Sequence, residues 1–161
     1  MTNFANSIHD IGQRASAYKH FELTLASTLS RWIDIMPEAT AVALAGAHAH
    51  VHADHAQLWN SRIPVLWDTD ESHWSTRANE ELVAILSKIE NDATLGDTRS
   101  KLDALYGHVM PALLQAYSAH LATIDPRVDS ATARILQTCI NNIRDHIDHA
   151  HDVIARISSA S

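Results

Sequence analysis

The chain has 161 residues, a formal net charge of −7 with histidine neutral, and only 4 glycines and 4 prolines. This length favours a single domain over residues 1–161, and so few turn-forming residues disfavour β-sandwiches and β-barrels. Glycine-rich phosphate loops are absent, the single cysteine excludes a Cys₄ zinc site, and the scattered lysines and arginines exclude a basic patch for nucleic acid.

Apolar residues recur at alternating steps of three and four along nearly the whole chain, which is typical of helices that pack along one face. The pattern predicts five helices, whose approximate bounds are Ser7 to Met36, Pro37 to Asn60, Arg77 to Asn91, Thr98 to Ile124 and Val128 to Ile157. A turn-rich connection covers residues 61–76, and Pro111 is expected to kink or break the fourth helix. Four long helices and one short helix predict an all-α fold, an antiparallel four-helix bundle with one additional short helix.

Histidine is unusually frequent, and seven of the 12 histidines lie within residues 48–55 and 146–151. His55 and His146 fall on the apolar faces of the predicted second and last helices, and Glu22 falls on that of the first. His52 lies three residues before His55, so both rings project from nearly the same face. Because a buried carboxylate is costly unless it is paired or binds a metal, we predict a metal site formed by Glu22, His52, His55 and His146.

The expected ligand of this site is a first-row transition-metal ion, because imidazoles with one carboxylate suit such ions better than magnesium or calcium. Iron is the first candidate, and manganese, copper and zinc are the others. Asp54, Asp145 and Asp148 are expected to orient the imidazole rings as hydrogen-bond acceptors. In the alternative interpretation, a neighbouring histidine or tyrosine satisfies Glu22 without any metal. Solvent-facing positions are expected for His50, His149 and His151.

A series of residues in helical spacing carries a family resemblance: Glu22 and Trp32, Pro37-Glu38, His55-Ala56, Arg62-Ile63, Tyr106, Pro111 to Leu114, Ala116-Tyr117, His120-Leu121, Asp125-Pro126, Arg134 to Leu136, and His146. In these residues the chain resembles bacterial proteins of the ferritin-like superfamily. The resemblance implies a four-helix bundle that holds a di-iron or di-manganese centre, with Glu22, His55 and His146 at ligand positions.

The chain departs from that family pattern where the family has further acids. His52 and Ile143 stand at positions where an acid is expected, and the fourth predicted helix has no acid between Asp103 and Asp125. Tyr106, Tyr117 or His120 must substitute there. These departures favour a mononuclear or histidine-rich centre over a carboxylate-bridged pair of ions.

Three functional interpretations follow from the sequence. The first is a non-haem metal-dependent oxidase or oxygenase that acts on a small molecule, with Tyr106 and Tyr117 as catalytic hydrogen-bond or redox partners. The second is a ferritin-like binding or structural protein that has lost its metal chemistry, and a haem-binding bundle is a third. No secretory signal or membrane-spanning run is visible, so a cytoplasmic location is expected.

Three tryptophans near the connection raise the question of self-association. Trp59, Trp67 and Trp74 either form a hydrophobic contact in a homodimer or cover the end of the bundle.

Overall fold

The computed structural model describes residues 7–67, 71–74, 80–91 and 96–159, and most of these residues are helical. The helices are α1 (Ile8–Ile33), α2 (Ala39–Asn60), α3 (Glu71–Trp74), α4 (Glu80–Asn91), α5 (Thr98–Ala104), a π-helical turn (Leu105–Val109), α6 (Met110–Thr123) and α7 (Ser130–Ser159). The described residues contain no strand, so the all-α prediction is confirmed. None of the described helices is both long enough and apolar enough to cross a membrane.

The start of α1 follows from local capping. The Ser7 hydroxyl accepts from the Asp10 N–H at 3.1 Å, and the Asp10 carboxylate accepts from the Ser7 N–H at 3.0 Å. This reciprocal pair satisfies two N–H groups that the first helical turn leaves without partners. The prediction that α2 starts at Pro37 is wrong by two residues, because the extended Glu38 is its N-cap. The start predicted for the shorter helix, Arg77, lies outside the described residues.

The predicted fourth helix is continuous from Thr98 to Thr123, but its middle turn is wider than an α-helix. Pro111 has no N–H and cannot donate to the carbonyl of Gly107. Immediately before it, the Met110 N–H donates to the Leu105 carbonyl, five residues back. The expected break at Pro111 therefore takes the form of a π-helical turn, an irregularity that is frequent at functional sites.

The helices enclose one hydrophobic core. The α1 and α2 helices pack most extensively against each other, while α7 packs against α2 and α6. Nearly complete burial is shared by many core residues, among them Phe21, Leu25, Leu29, Leu44, Leu102, Leu105, Leu113, Leu136 and Ile143. Each such side chain contributes about 1.5–3 kcal/mol by leaving water. This apolar interior is the environment of the polar residues described below.

Two of the three clustered tryptophans are buried within the chain. Trp59 and Trp74 are 1% and 3% exposed, whereas Trp67 is 97% exposed. The ring of Trp74 lies so close to Gly12 that a Cβ atom there would be 2.4 Å from Cε3. Trp74 therefore packs the short helix α3 against α1.

Candidate metal centre

A fully buried carboxylate lies at the centre of the helices. Glu22 has no exposed surface, and its Oε1 accepts from the Tyr117 hydroxyl at 2.5 Å. Its Oε2 lies 2.5 Å from Nδ1 of His52. Burial alone raises the pKa of Glu22, but the charge and the hydrogen bond of His52, together with the nearby ring of His55, lower it to about 2. Glu22 is therefore an anion in a dry environment.

Two histidines of α2 face this carboxylate. His52 and His55 are 0% and 1% exposed, and their rings meet edge to face with centroids 5.7 Å apart. Nδ1 of His55 lies 3.3 Å from Oε1 of Glu22. Glu22, His52 and His55 each offer one ligand atom, and these three atoms lie within 4.8 Å of one another. Among the described residues, this is the cluster of side chains that is close enough to bind one metal ion.

The ring nitrogens of these histidines are not all satisfied. Within the described part of the chain, Nε2 of His52 and Nδ1 of His55 are buried without a hydrogen-bond partner, as is Nδ1 of His146. The Nδ1 atom of His55 is close to Glu22, but the geometry is poor for a hydrogen bond. Leaving a buried polar atom unpaired costs about 1–3 kcal/mol. Unpaired nitrogens on two rings beside an anion fit a bound cation.

Asn142 fixes the orientation of the His55 ring from the opposite side. Its Nδ2 lies 2.9 Å from Nε2 of His55. When the amide donates to Nε2, the ring proton is on Nδ1 and points towards Glu22. A rotated amide, with Oδ1 as acceptor, holds the proton on Nε2 and leaves the Nδ1 lone pair free for a metal. The sequence gives no signal for this role of Asn142, because an asparagine is not diagnostic of a metal site.

Of the two tyrosines predicted as catalytic, Tyr117 contacts the group. It is fully buried, donates to Glu22, and accepts from the Trp59 indole N–H at 3.2 Å. Burial, and then the neighbouring charge of Glu22, raise the pKa of Tyr117 well above its usual value. Tyr117 therefore stays a protonated hydrogen-bond donor. The sequence does not predict the contact with Trp59, because a tryptophan on an apolar helix face gives no signal of a polar contact.

The fourth predicted ligand, His146, lies beside the group rather than in it. Its ring stacks on His48 with centroids 3.7 Å apart and meets the edge of His52 at 5.3 Å. The other tyrosine, Tyr106, also belongs to this neighbouring region, since its hydroxyl lies 2.6 Å from Nδ1 of His48. The structure thus brings together three of the four predicted ligands and one of the two tyrosines.

The aspartates expected to orient the rings do not do so. Asp54 is exposed and lies 3.7 Å from His50 on the outer face of α2, and Asp145 and Asp148 are also exposed. Helix periodicity explains the error, because these residues are adjacent in sequence to the inward histidines and project from other faces. The hydrogen-bonding partners of the group are instead Tyr117 and Asn142.

Comparisons of the chain with protein-family models, with curated proteins and with solved structures gave no significant match.

Proposed function

We propose that this protein binds one transition-metal ion through Glu22, His52 and His55, inside a ferritin-like four-helix bundle. The observation that carries the proposal is the pair of unpartnered buried nitrogens, on His52 and His55, next to an anionic carboxylate. Two imidazoles and one carboxylate are a typical donor set for first-row transition metals. The bundle has α1, α2, the segment Thr98–Thr123 and α7 as its four long members.

A single ion is favoured over a carboxylate-bridged pair. Glu22 is the one carboxylate in the group, and the further acids of a di-metal centre are replaced by residues such as His52. One carboxylate offsets only part of the charge of one dication, and a second dication in the same dry volume is costly.

The proposed activity is a non-haem metal-dependent oxidation or oxygenation of a small molecule. Two histidines and one carboxylate with open coordination positions are the donor set of non-haem iron(II) oxygenases, so iron is the first candidate metal. A bound iron ion supplies redox chemistry and Lewis acidity. Tyr117 holds a proton at its hydroxyl 2.5 Å from Glu22, and Asn142 sets the proton position on His55.

A second candidate function is a non-catalytic ferritin-like protein. The observation that favours it is that both carboxylate oxygens of Glu22 already have close donors, from Tyr117 and His52. In this case the buried network maintains one specific arrangement of the helices.

The metal content of tag-free protein distinguishes the two. After anaerobic loading with Fe²⁺ and removal of excess ion, we expect about one ion per chain in the wild type and little in Glu22→Gln or His55→Ala. His50→Ala, which removes an exposed histidine of the same helix, is the matched control and retains the ion. A wild-type content below about one tenth of an ion per chain rules out the metal centre and leaves the structural function.

A further inference from the structure

A row of four histidines leads from the protein surface to Glu22, and we call it the histidine ladder: His149, His48, His146 and His52. His149 is exposed on α7, and its Nδ1 lies 3.3 Å from Nε2 of the buried His48. His48 stacks on His146, which meets the edge of His52. His52 in turn contacts Glu22. The ladder runs along the contact between α2 and α7 and contains four of the seven clustered histidines.

The outer two histidines have the spacing of a ligand pair. Two imidazole nitrogens bound to one tetrahedral Zn²⁺ at 2.0–2.1 Å are about 3.3–3.4 Å apart. The observed separation of His48 and His149 is 3.3 Å. Without an ion, these two nitrogens share one proton as a hydrogen bond. Both present lone pairs to the same ion when the ring protons are on Nε2 of His149 and on Nδ1 of His48, where His48 donates to the Tyr106 hydroxyl.

The inner histidines of the ladder, His146 and His52, provide further nitrogen lone pairs. His48 and His146 are 3% and 6% exposed and their rings stack, so both rings lie between the exposed His149 and the fully buried His52. Nδ1 of His146 and Nε2 of His52 are buried without partners among the described residues. An ion that leaves the outer pair therefore meets unpaired nitrogens on the two rings that precede Glu22.

We propose that His48 and His149 form an outer binding pair that captures a divalent first-row transition-metal ion from solvent and transfers it through His146 and His52 to the metal centre. This inference rests on the proposed metal-binding function. It assigns His146 a role in transfer rather than as a ligand of the final site, and it accounts for the clustering of histidines on both α2 and α7.

The test separates the rate of metal binding from its equilibrium. Metal-free protein is mixed rapidly with Co²⁺, and the visible absorption of the bound ion is followed with time and at equilibrium. We expect His149→Ala to slow loading several-fold, because the outer pair no longer raises the local concentration of the ion, and to leave the equilibrium Kd of the buried site within error of the wild type. His151→Ala, which removes another exposed histidine of α7, is the matched control and is expected to load at the wild-type rate.

The other outcomes contradict the proposal, and they distinguish failure of the transfer route from failure of the metal centre. A wild-type loading rate in His149→Ala overturns the transfer route and leaves the metal centre intact. A Kd that weakens as much as the rate shows that His149 supports the final site instead of feeding it. Absence of Co²⁺ binding by the wild type overturns the metal centre and the route together. Thermal unfolding of each variant confirms that the exposed substitution has not changed the fold.

Discussion

Replacement of Glu22 by glutamine tests how the buried network stabilises the metal-free protein. Glutamine has nearly the same shape but offers a single acceptor oxygen, whereas the carboxylate accepts from both Tyr117 and His52. One of these donors is left without an acceptor, which costs about 1–3 kcal/mol. An opposite contribution comes from the charge itself, because the neutral glutamine does not have the free-energy cost of removing the charged Glu22 carboxylate from water.

The sign of the net effect follows from the pKa of Glu22. The folded protein lowers this pKa from 4.5 to about 2. At 1.36 kcal/mol per pKa unit, folding favours the charged over the neutral side chain by about 3 kcal/mol. Because the folded pKa is below the unfolded value, this stabilisation is complete above pH 4.5 and is lost as the pH falls towards 2. A neutral glutamine therefore destabilises the protein at pH 7.

We expect Glu22→Gln to lower the free energy of unfolding by about 2 kcal/mol, which corresponds to a decrease in Tm of about 4–8 °C. Urea unfolding at pH 7, followed by circular dichroism in the presence of a chelator, measures the change. Asp103→Asn, which removes an exposed carboxylate near Arg99, is the control and should change stability by less than about 0.5 kcal/mol. A Glu22→Gln variant as stable as the wild type, or more stable, refutes this reasoning.

Three further predictions concern the packing of two glycines, the titration of His120 and the effect of bound metal on stability. Gly12→Ala should destabilise the protein by about 1–3 kcal/mol, because the added Cβ atom collides with Trp74. Gly46→Ala should stabilise the protein by about 0.5–1 kcal/mol, because its Cβ atom has no neighbour closer than 3.7 Å and alanine favours the helix. Chemical denaturation of both variants measures whether the two changes in the free energy of unfolding have opposite signs. Burial, and then the charge of Arg14, lower the pKa of His120 to about 4. The free energy of unfolding should therefore fall as the pH decreases from 6.5 towards 4, by about 2 kcal/mol after allowance for partial solvation. In His120→Gln, this part of the dependence of stability on pH should be flat. A free Fe²⁺ or Zn²⁺ concentration 100 times the Kd should raise the free energy of unfolding by about 2.7 kcal/mol in the wild type and not in His55→Ala, and equal shifts in both proteins would contradict the assigned ligands.

Helix periodicity accounts for what the sequence predicts correctly. Apolar spacing places Glu22, His52 and His55 on inward faces, and the structure confirms their burial. Register along a helix is a local property, so spacing alone is sufficient. The positions of His146 and Tyr106 relative to Glu22 depend on how far each helix is shifted along its neighbour. That shift depends on the packing of the whole core, and the spacing of apolar residues within one helix carries no information about it.

Helix periodicity also does not predict the hydrogen bonds around the histidine rings and Tyr117. Asn142 contacts His55, and Trp59 contacts Tyr117, across pairs of helices. Neither residue type is diagnostic of a metal site in a sequence. The π-helical turn is a similar case, because Pro111 predicts an irregularity but not that the backbone widens before it.

The most direct test of the metal centre is anomalous scattering from crystals of the protein soaked with iron, cobalt or zinc. We predict one strong peak of anomalous density in the core, within bonding distance of a Glu22 oxygen and of nitrogens of His52 and His55, about 2.0–2.2 Å away. Anomalous density confined to exposed histidines, with none beside Glu22, would contradict the account.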